Sequence, residues 1–241
     1  MSITFGTSYC ALLGHPYALS RVELQRQLAL TIGNTIYHSV LDIGCGSMPY
    51  SPLFSTATHY QGLEIYGACG AHLPTNISFY DGLNIPFSNN SYDAVLCSQV
   101  LEHASEPSIL LKEIFRTLKP QGVLILTIPF FWPEHEQPHD YRRFTRYGLQ
   151  KTLEKAGFES IKIISLNCGL STLFQLLIEY SESKRRQYLS WLPNYAWRAL
   201  TLIPYSFLNI LGFSFNRISY IVAPSYPHPI YLNLVASAIK P

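Results

Sequence analysis

The run Val40-Leu41-Asp42-Ile43-Gly44-Cys45-Gly46 constrains the fold more than any other stretch of this chain. A short apolar segment with an acid near its end reads as a buried strand. The two glycines one residue apart read as a tight turn that lets a ligand approach the main chain. A dinucleotide loop would want a third glycine at 49, where Pro49 stands, and would not normally set a carboxylate beside a pyrophosphate. A phosphate loop ending in Gly-Lys-Ser/Thr is absent. The pattern therefore suits a ligand with a cationic group.

Strands and helices alternate around this run. Ser39–Ile43 is the first expected strand, Tyr60–Ile65 the second, Asn76–Tyr80 the third and Tyr92–Cys97 the fourth. Residues Arg21–Leu28 carry helical spacing ahead of them, within a lead-in that covers residues 1–38. Pro107–Leu118 is an amphipathic helix with proline in its first turn, and Pro120 is expected to stop it. Val123–Ile128 is a wholly apolar strand. Thr145–Ala156 is a helix capped by Thr145 and ended by Gly157. Ser160–Leu166 and Tyr231–Ile239 close the set. This alternation implies parallel pairing and an α/β, doubly wound, Rossmann-like sheet built from 39–168 and 230–241.

Ligands of open α/β sheets bind at the carboxyl ends of the strands. Here the first strand ends at Asp42 with Gly44 and Gly46. The second ends at Glu64, 22 residues after Asp42 and near the spacing at which an acid binds a ribose diol. Asp81-Gly82 follows the third strand and Ser98-Gln99 the fourth.

The stretches VLDIGCGSMPY, YQGLEIY, FYDGLNIPFSNNSYDAVLCSQVLEHASEP and LLKEIFRTLKPQGVLILTIPF resemble class I S-adenosylmethionine-dependent methyltransferases of the type 11 kind. PEHEQPHDYRRFTRYGLQKTLEKAGF resembles a subgroup met in bacterial surface-glycan clusters. The resemblance covers residues 35–165 and the final strand, and implies seven mostly parallel strands with the last one antiparallel. It implies S-adenosyl-L-methionine as cofactor, with Asp42, Gly44 and Gly46 at its methionine end and Glu64 on the ribose. Asp81 and Gly82 would lie beside the adenine, and Gln99 under the methionine portion. Relatives often carry a third glycine where Met48 stands, and Glu64 replaces a more frequent aspartate.

Methyl transfer to an alcohol needs a base. The Asp/Asn-Pro-Pro-aromatic signature of exocyclic-amine methylation is absent after the fourth strand, where Cys97-Ser98-Gln99 stands. The candidate bases are His103, His135 and His139, with Glu136 and Asp140 beside them; His135 or His139 is favoured. The four-residue spacing of His135 and His139 could suggest metal ligands, but Pro138 argues against a regular helix between them, and no metal is expected.

Charged residues make up 13% of the chain against 48% hydrophobic and 14% aromatic. A soluble domain averages about 25% charged, so part of the surface is expected to face something other than water. The net charge of +2 carries no long basic run, so no nucleic-acid partner is expected. The five cysteines (Cys10, Cys45, Cys69, Cys97 and Cys168) have no ligand spacing and read as free thiols. No secretory signal is expected, and the localisation expected is cytoplasmic.

Residues 169–229 depart from the sheet pattern and read as an apolar helical insertion. Pro193, Pro204 and Gly212 are expected to interrupt or turn it. Its apolar surface would pack on the sheet, bury itself in a homodimer, or lie through residues 170–216 on the inner face of a membrane. In the last case Trp191, Trp197 and Tyr205 would be interfacial anchors, and Lys184-Arg185-Arg186 would face anionic headgroups. The leading functional expectation is O-methylation of a glycan, a lipid-linked sugar or a related small molecule. The alternatives are a small-molecule N/O-methyltransferase of secondary metabolism and a non-catalytic, membrane-associated cofactor binder.

Overall fold

The computed structural model describes residues 13–67, 74, 76–222 and 229–241. Seven strands, β1 (Ser39–Ile43), β2 (His59–Ile65), β3 (Ile77–Tyr80), β4 (Tyr92–Ser98), β5 (Leu118–Pro129), β6 (Glu159–Leu166) and β7 (Asn233–Ile239), form one sheet in the order β3-β2-β1-β4-β5-β7-β6. The pairs β1–β2, β1–β4, β2–β3 and β4–β5 are parallel. The last strand is antiparallel: past its end, against the start of β5, Gln121 N–H donates to Lys240 O and Lys240 N–H donates to Gly122 O. The expected α/β Rossmann-like architecture is the observed one.

The central strands are buried on both faces, as continuous apolar runs require. Val40, Leu41, Ile43, Ala94, Val95, Leu96, Leu124, Ile125 and Leu126 are all inaccessible to solvent. Chain order reverses between β1 and β4, so the carboxyl ends of those two neighbours open the crevice in which such sheets bind ligands.

The helices are α1 (Ala18–Ile32), α2 (Pro107–Thr117), α3 (Arg146–Lys155), α4 (Leu170–Tyr188) and α5 (Asn194–Val222). Thr145 Oγ1 caps α3 by accepting from Gly148 N–H at 3.0 Å, and Gly157 follows it at φ +97°. Two boundaries differ from expectation. Strand β5 begins at Leu118, which pairs with Tyr92 ahead of an irregularity in the ladder; Pro120 sits inside the strand's bulged start. Helix α5 runs unbroken past Pro204 and Gly212. Pro204 removes one backbone donor without ending the helix, and a Cβ on Gly212 would come within 2.5 Å of Leu19 Cδ1, so that glycine serves close packing.

The chain divides into two compact units. One comprises the residues up to Arg26 with Ser165–Asn233, and the other Gln27–Ile164 with Leu234–Pro241. All the expected cofactor and base residues belong to the second.

Candidate active site

Asp42 is 2% exposed and accepts a 2.7 Å hydrogen bond from Tyr60 Oη. Burial pushes its carboxyl up to about 7; the Tyr60 bond opposes this and the neighbouring Glu64 charge adds to it. The following turn is left-handed at both glycines, but for different reasons. A Cβ on Gly44 (φ +65°) would lie 2.2 Å from Val100 Cγ2, whereas one on Gly46 (φ +48°) would meet nothing within 4 Å. Gly44 is thus a packing glycine, and Gly46 faces open space. Met48 also adopts a left-handed φ of +55°, which accounts for glycine being common at this position in the family it resembles. Its side chain is buried over Gly62, where an added Cβ would fall 2.3 Å from Met48 Cε.

Glu64 closes β2. Its Oε2 accepts from Gly46 N–H and its Oε1 from Ile65 N–H, each at 3.0 Å. Asp81 caps the turn after β3. Hydrogen bonds from the Asn84 backbone, the Asn84 side chain and the Leu83 N–H hold its carboxyl down to about 2. Gly82 (φ +86°) packs its α-carbon toward Ile65. After β4, Gln99 sits at φ +58°. Its N–H donates to Thr127 O at 2.9 Å and its Nε2 to Thr127 Oγ1 at 3.1 Å, so β5 fixes the direction of this side chain.

These groups suit a ligand with a cation and a diol. Among the described residues neither Asp42 nor Glu64 has a cationic partner, and each carboxylate retains acceptor capacity. A buried aspartate without a counter-charge is a natural seat for an ammonium or sulfonium group, and the open side of Gly46 leaves room for a close backbone approach. No lysine or arginine lies among these positions to receive a phosphate.

The three histidines converge on one cluster. His103 Nδ1 lies 2.9 Å from His139 O, and the His103 and His135 rings meet edge to face at 4.7 Å between centroids. His139 Nδ1 lies 2.9 Å from Tyr141 Oη, on the exposed rim. Burial lowers the pKa of His103, favouring its neutral form. Asp140 is a poor base: Arg143 binds it at 2.7 Å, His135 N–H donates to it, and these contacts hold its carboxyl down to about 2. Cys45, Cys97 and Cys168 are buried, and burial pushes the Cys45 thiol up to about 12. Cys10 and Cys69 lie outside the described residues.

Three participants escaped the sequence reading. Tyr60 pairs in register with Val40 and therefore shares a sheet face with Asp42, a signal that strand alternation carries. Thr127 is the polar interruption in an apolar strand, opposite Ser98. Glu102 is completely buried, and among the described residues both of its carboxylate oxygens lack a hydrogen-bond partner; nothing in the local sequence marks it as more than a polar turn residue.

Residues 41–126 match the family described as "Methyltransferase domain". A probable S-adenosylmethionine-dependent methyltransferase of Mycolicibacterium smegmatis is 30% identical over 132 residues, covering 50% of this chain and 51% of that protein. Cycloartenol-C-24-methyltransferase 1 of Oryza sativa is 32% identical over 126 residues, 47% of this chain and 36% of the other. The chain thus spans about half or less of the length of these relatives. The solved structure of a SAM-dependent methyltransferase from Archaeoglobus fulgidus shares the fold, with a TM-score of 0.54 at 15% identity over 92% of this chain and 94% of that one. Residues 41–126 thus carry the match to a methyltransferase domain, and the chain shares the fold of S-adenosylmethionine-dependent methyltransferases.

Proposed function

We propose that this chain methylates an oxygen of a glycan or lipid-linked sugar at the cytoplasmic face of a membrane. The observation that carries the acceptor class is the inverted polarity of α4 and α5. On α5 the positions turned inward are Thr201, Tyr205, Asn209 and Asn216, while Leu200, Ile203, Phe207 and Ile210 point outward. Ile203 is 80% exposed and Asn209 0%. On α4, Gln175, Glu179 and Glu182 are buried while Leu170, Leu173 and Leu177 are exposed. A helix in water buries its apolar stripe; this pair does the opposite.

An apolar surroundings outside the unit accounts for that inversion. Of the expected anchors only Trp191 is strongly exposed, beside Tyr188 and Tyr195 at the turn between the two helices, where amphipathic rings suit a headgroup layer; Tyr205 is buried and Trp197 Nε1 donates to Glu182. Lys184 lies over the Tyr180 and Tyr188 rings, and Arg185, Arg186 and Arg198 line a polar cavity of about 200 Å³ in the same unit. Cations beside an apolar face complement an anionic lipid surface. By length and composition α5 could cross a membrane, but Pro204 and the inward asparagines favour a position in the interface plane.

The bound cofactor supplies an electrophilic methyl group on a sulfonium, with a neutral thioether as the leaving group. Asp42 and Glu64 hold and orient it, so positioning can supply up to about 7–11 kcal/mol of the barrier. His139, exposed on the rim with Tyr141 fixing its Nδ1, is the group proposed to take the hydroxyl proton as the carbon–oxygen bond forms. His103 has its Nδ1 tied to a carbonyl, and its Nε2 faces Glu102.

Co-sedimentation with vesicles tests the acceptor class. Recovery with phosphatidylglycerol vesicles, and loss of that recovery in Ile203→Glu/Phe207→Glu, would support it. Equal supernatant recovery with and without lipid would reject it, and a concentration-dependent dimer in the absence of lipid would give the apolar face to a second copy.

A further inference from the structure

We propose that Glu102, His103 and His135 form a binding site for one divalent first-row transition-metal ion of the zinc type, joining the turn after β4 to the rim loop of residues 130–144. Their ligand-capable atoms lie within 4.8 Å of one another. Two imidazoles and a carboxylate are a donor set that zinc takes at about 2.0–2.2 Å, with a further position left for water or an oxygen ligand.

The second observation is the state of Glu102. Its side chain is fully buried, and among the described residues neither oxygen has a hydrogen-bond donor. Across the site His103 Nε2 lies 3.8 Å from Glu102 Oε1. The orientation of His103 decides what that atom can offer. Its Nδ1 faces the carbonyl of His139 at 2.9 Å, and a carbonyl only accepts, so Nδ1 carries the hydrogen. In the neutral ring Nε2 is then a lone pair aimed at a carboxylate.

His135 is constrained in the same way. Its Nδ1 lies 3.2 Å from Pro133 O and 3.2 Å from Asp140 Oδ2, both acceptors, which leaves its Nε2 with the lone pair. Arg143 fixes Asp140 in turn. An imidazole donating one N–H to a carbonyl or carboxylate while the other nitrogen binds outward is the usual support of a metal-bound histidine. A fully buried carboxylate facing two half-buried imidazole lone pairs calls for a shared positive centre, either a metal ion or a proton, and this donor set suits the ion. Arg143, whose charge acts on Glu102, is engaged by Asp140. The pairing is His103 with His135, not the His135/His139 pair that their sequence spacing suggests.

The site goes beyond the methyl-transfer reading, and its test is independent of turnover. Untagged full-length protein, stripped with a chelator, is titrated with Zn²⁺ against a chromophoric competitor, and separately with Co²⁺ while its visible absorption is followed. The expected result is one ion per chain with a Co²⁺ spectrum of low-symmetry, four- or five-coordinate form. His135→Ala and Glu102→Gln should each weaken Zn²⁺ binding more than about tenfold, while His59→Ala leaves it unchanged. Absence of stoichiometric binding, or wild-type affinity in both variants, overturns the site and assigns the buried Glu102 a proton instead. If Glu102→Gln lacks a cooperative melt, His135→Ala and His103→Ala decide, since both replace partly exposed rings.

Discussion

Glu64 Oε2 accepts a 3.0 Å hydrogen bond from Gly46 N–H, so the acid expected to hold the ribose also ties the end of β2 to the loop after β1. The two roles separate by substitution. Glu64→Gln can keep the brace through its amide oxygen but loses the charge; Glu64→Ala loses both. A charge-assisted hydrogen bond contributes about 1.5–3 kcal/mol. Calorimetric titration of Glu64→Ala with S-adenosylmethionine should therefore show roughly ten- to a hundredfold weaker binding. Glu64→Gln should fall between it and the wild type. Wild-type affinity in Glu64→Ala would remove this residue from the site.

The buried Asp42 makes cofactor affinity depend on pH. Its folded pKa of about 7 stands above the unfolded value of about 3.9. The folded protein therefore holds this proton more tightly than the unfolded chain does. The favourable contribution to stability is complete below the unfolded pKa and is lost as pH rises toward 7. Binding runs the other way, because a cationic ligand favours the ionised carboxylate. Affinity for S-adenosylmethionine should rise between about pH 6 and about pH 8 and then level off. Asp42→Asn should bind weakly with a flat profile. An unchanged slope in that variant would assign the titration to another group.

Much of this arrangement could be read before any coordinates because central strands announce themselves. Val40–Ile43 and Val123–Ile128 carry apolar residues on both faces, interrupted by Asp42 and Thr127, and Thr145 and Gly157 mark the two ends of a helix by their own chemistry. What could not be read depended on distant partners. Whether Pro204 breaks a helix depends on what holds the rest of it. The three- and four-residue intervals between Leu200, Ile203, Phe207 and Ile210 fix an apolar face without saying which way it turns. That is decided by the backbone carbonyls of Leu13 and His15, which the amide of Asn209 reaches. The isolation of Glu102 likewise becomes visible only when residues 135–143 fold back over the turn after β4, where Tyr141 N–H donates to Glu102 O.

The two loop glycines should fail differently. Alanine at either position costs about 1–2 kcal/mol for the left-handed backbone. Gly44→Ala adds a collision with Val100, so its main effect should be a lowered melting temperature. Gly46→Ala points its methyl into open space on the ligand side, so its stability loss should stay near that backbone figure. Its S-adenosylmethionine affinity should fall by more than tenfold. Wild-type affinity in Gly46→Ala would show that the open side of Gly46 is not a ligand surface.

The inverted helix makes a prediction opposite to the usual rule for α-helices. Asn209 is fully buried, and its side-chain amide donates to two backbone carbonyls, those of Leu13 and His15. Asn209→Leu leaves both carbonyls without that donor and should destabilise the protein by about 1–3 kcal/mol, despite its greater hydrophobicity. Ile203→Ser on the opposite face removes an apolar side chain that contributes little to the core. It should change the urea midpoint by less than about 0.5 kcal/mol in stability, while reducing recovery with anionic vesicles. If Ile203→Ser proves the more destabilising of the two, α5 presents its apolar side to the protein interior, and the membrane reading of this surface falls with it.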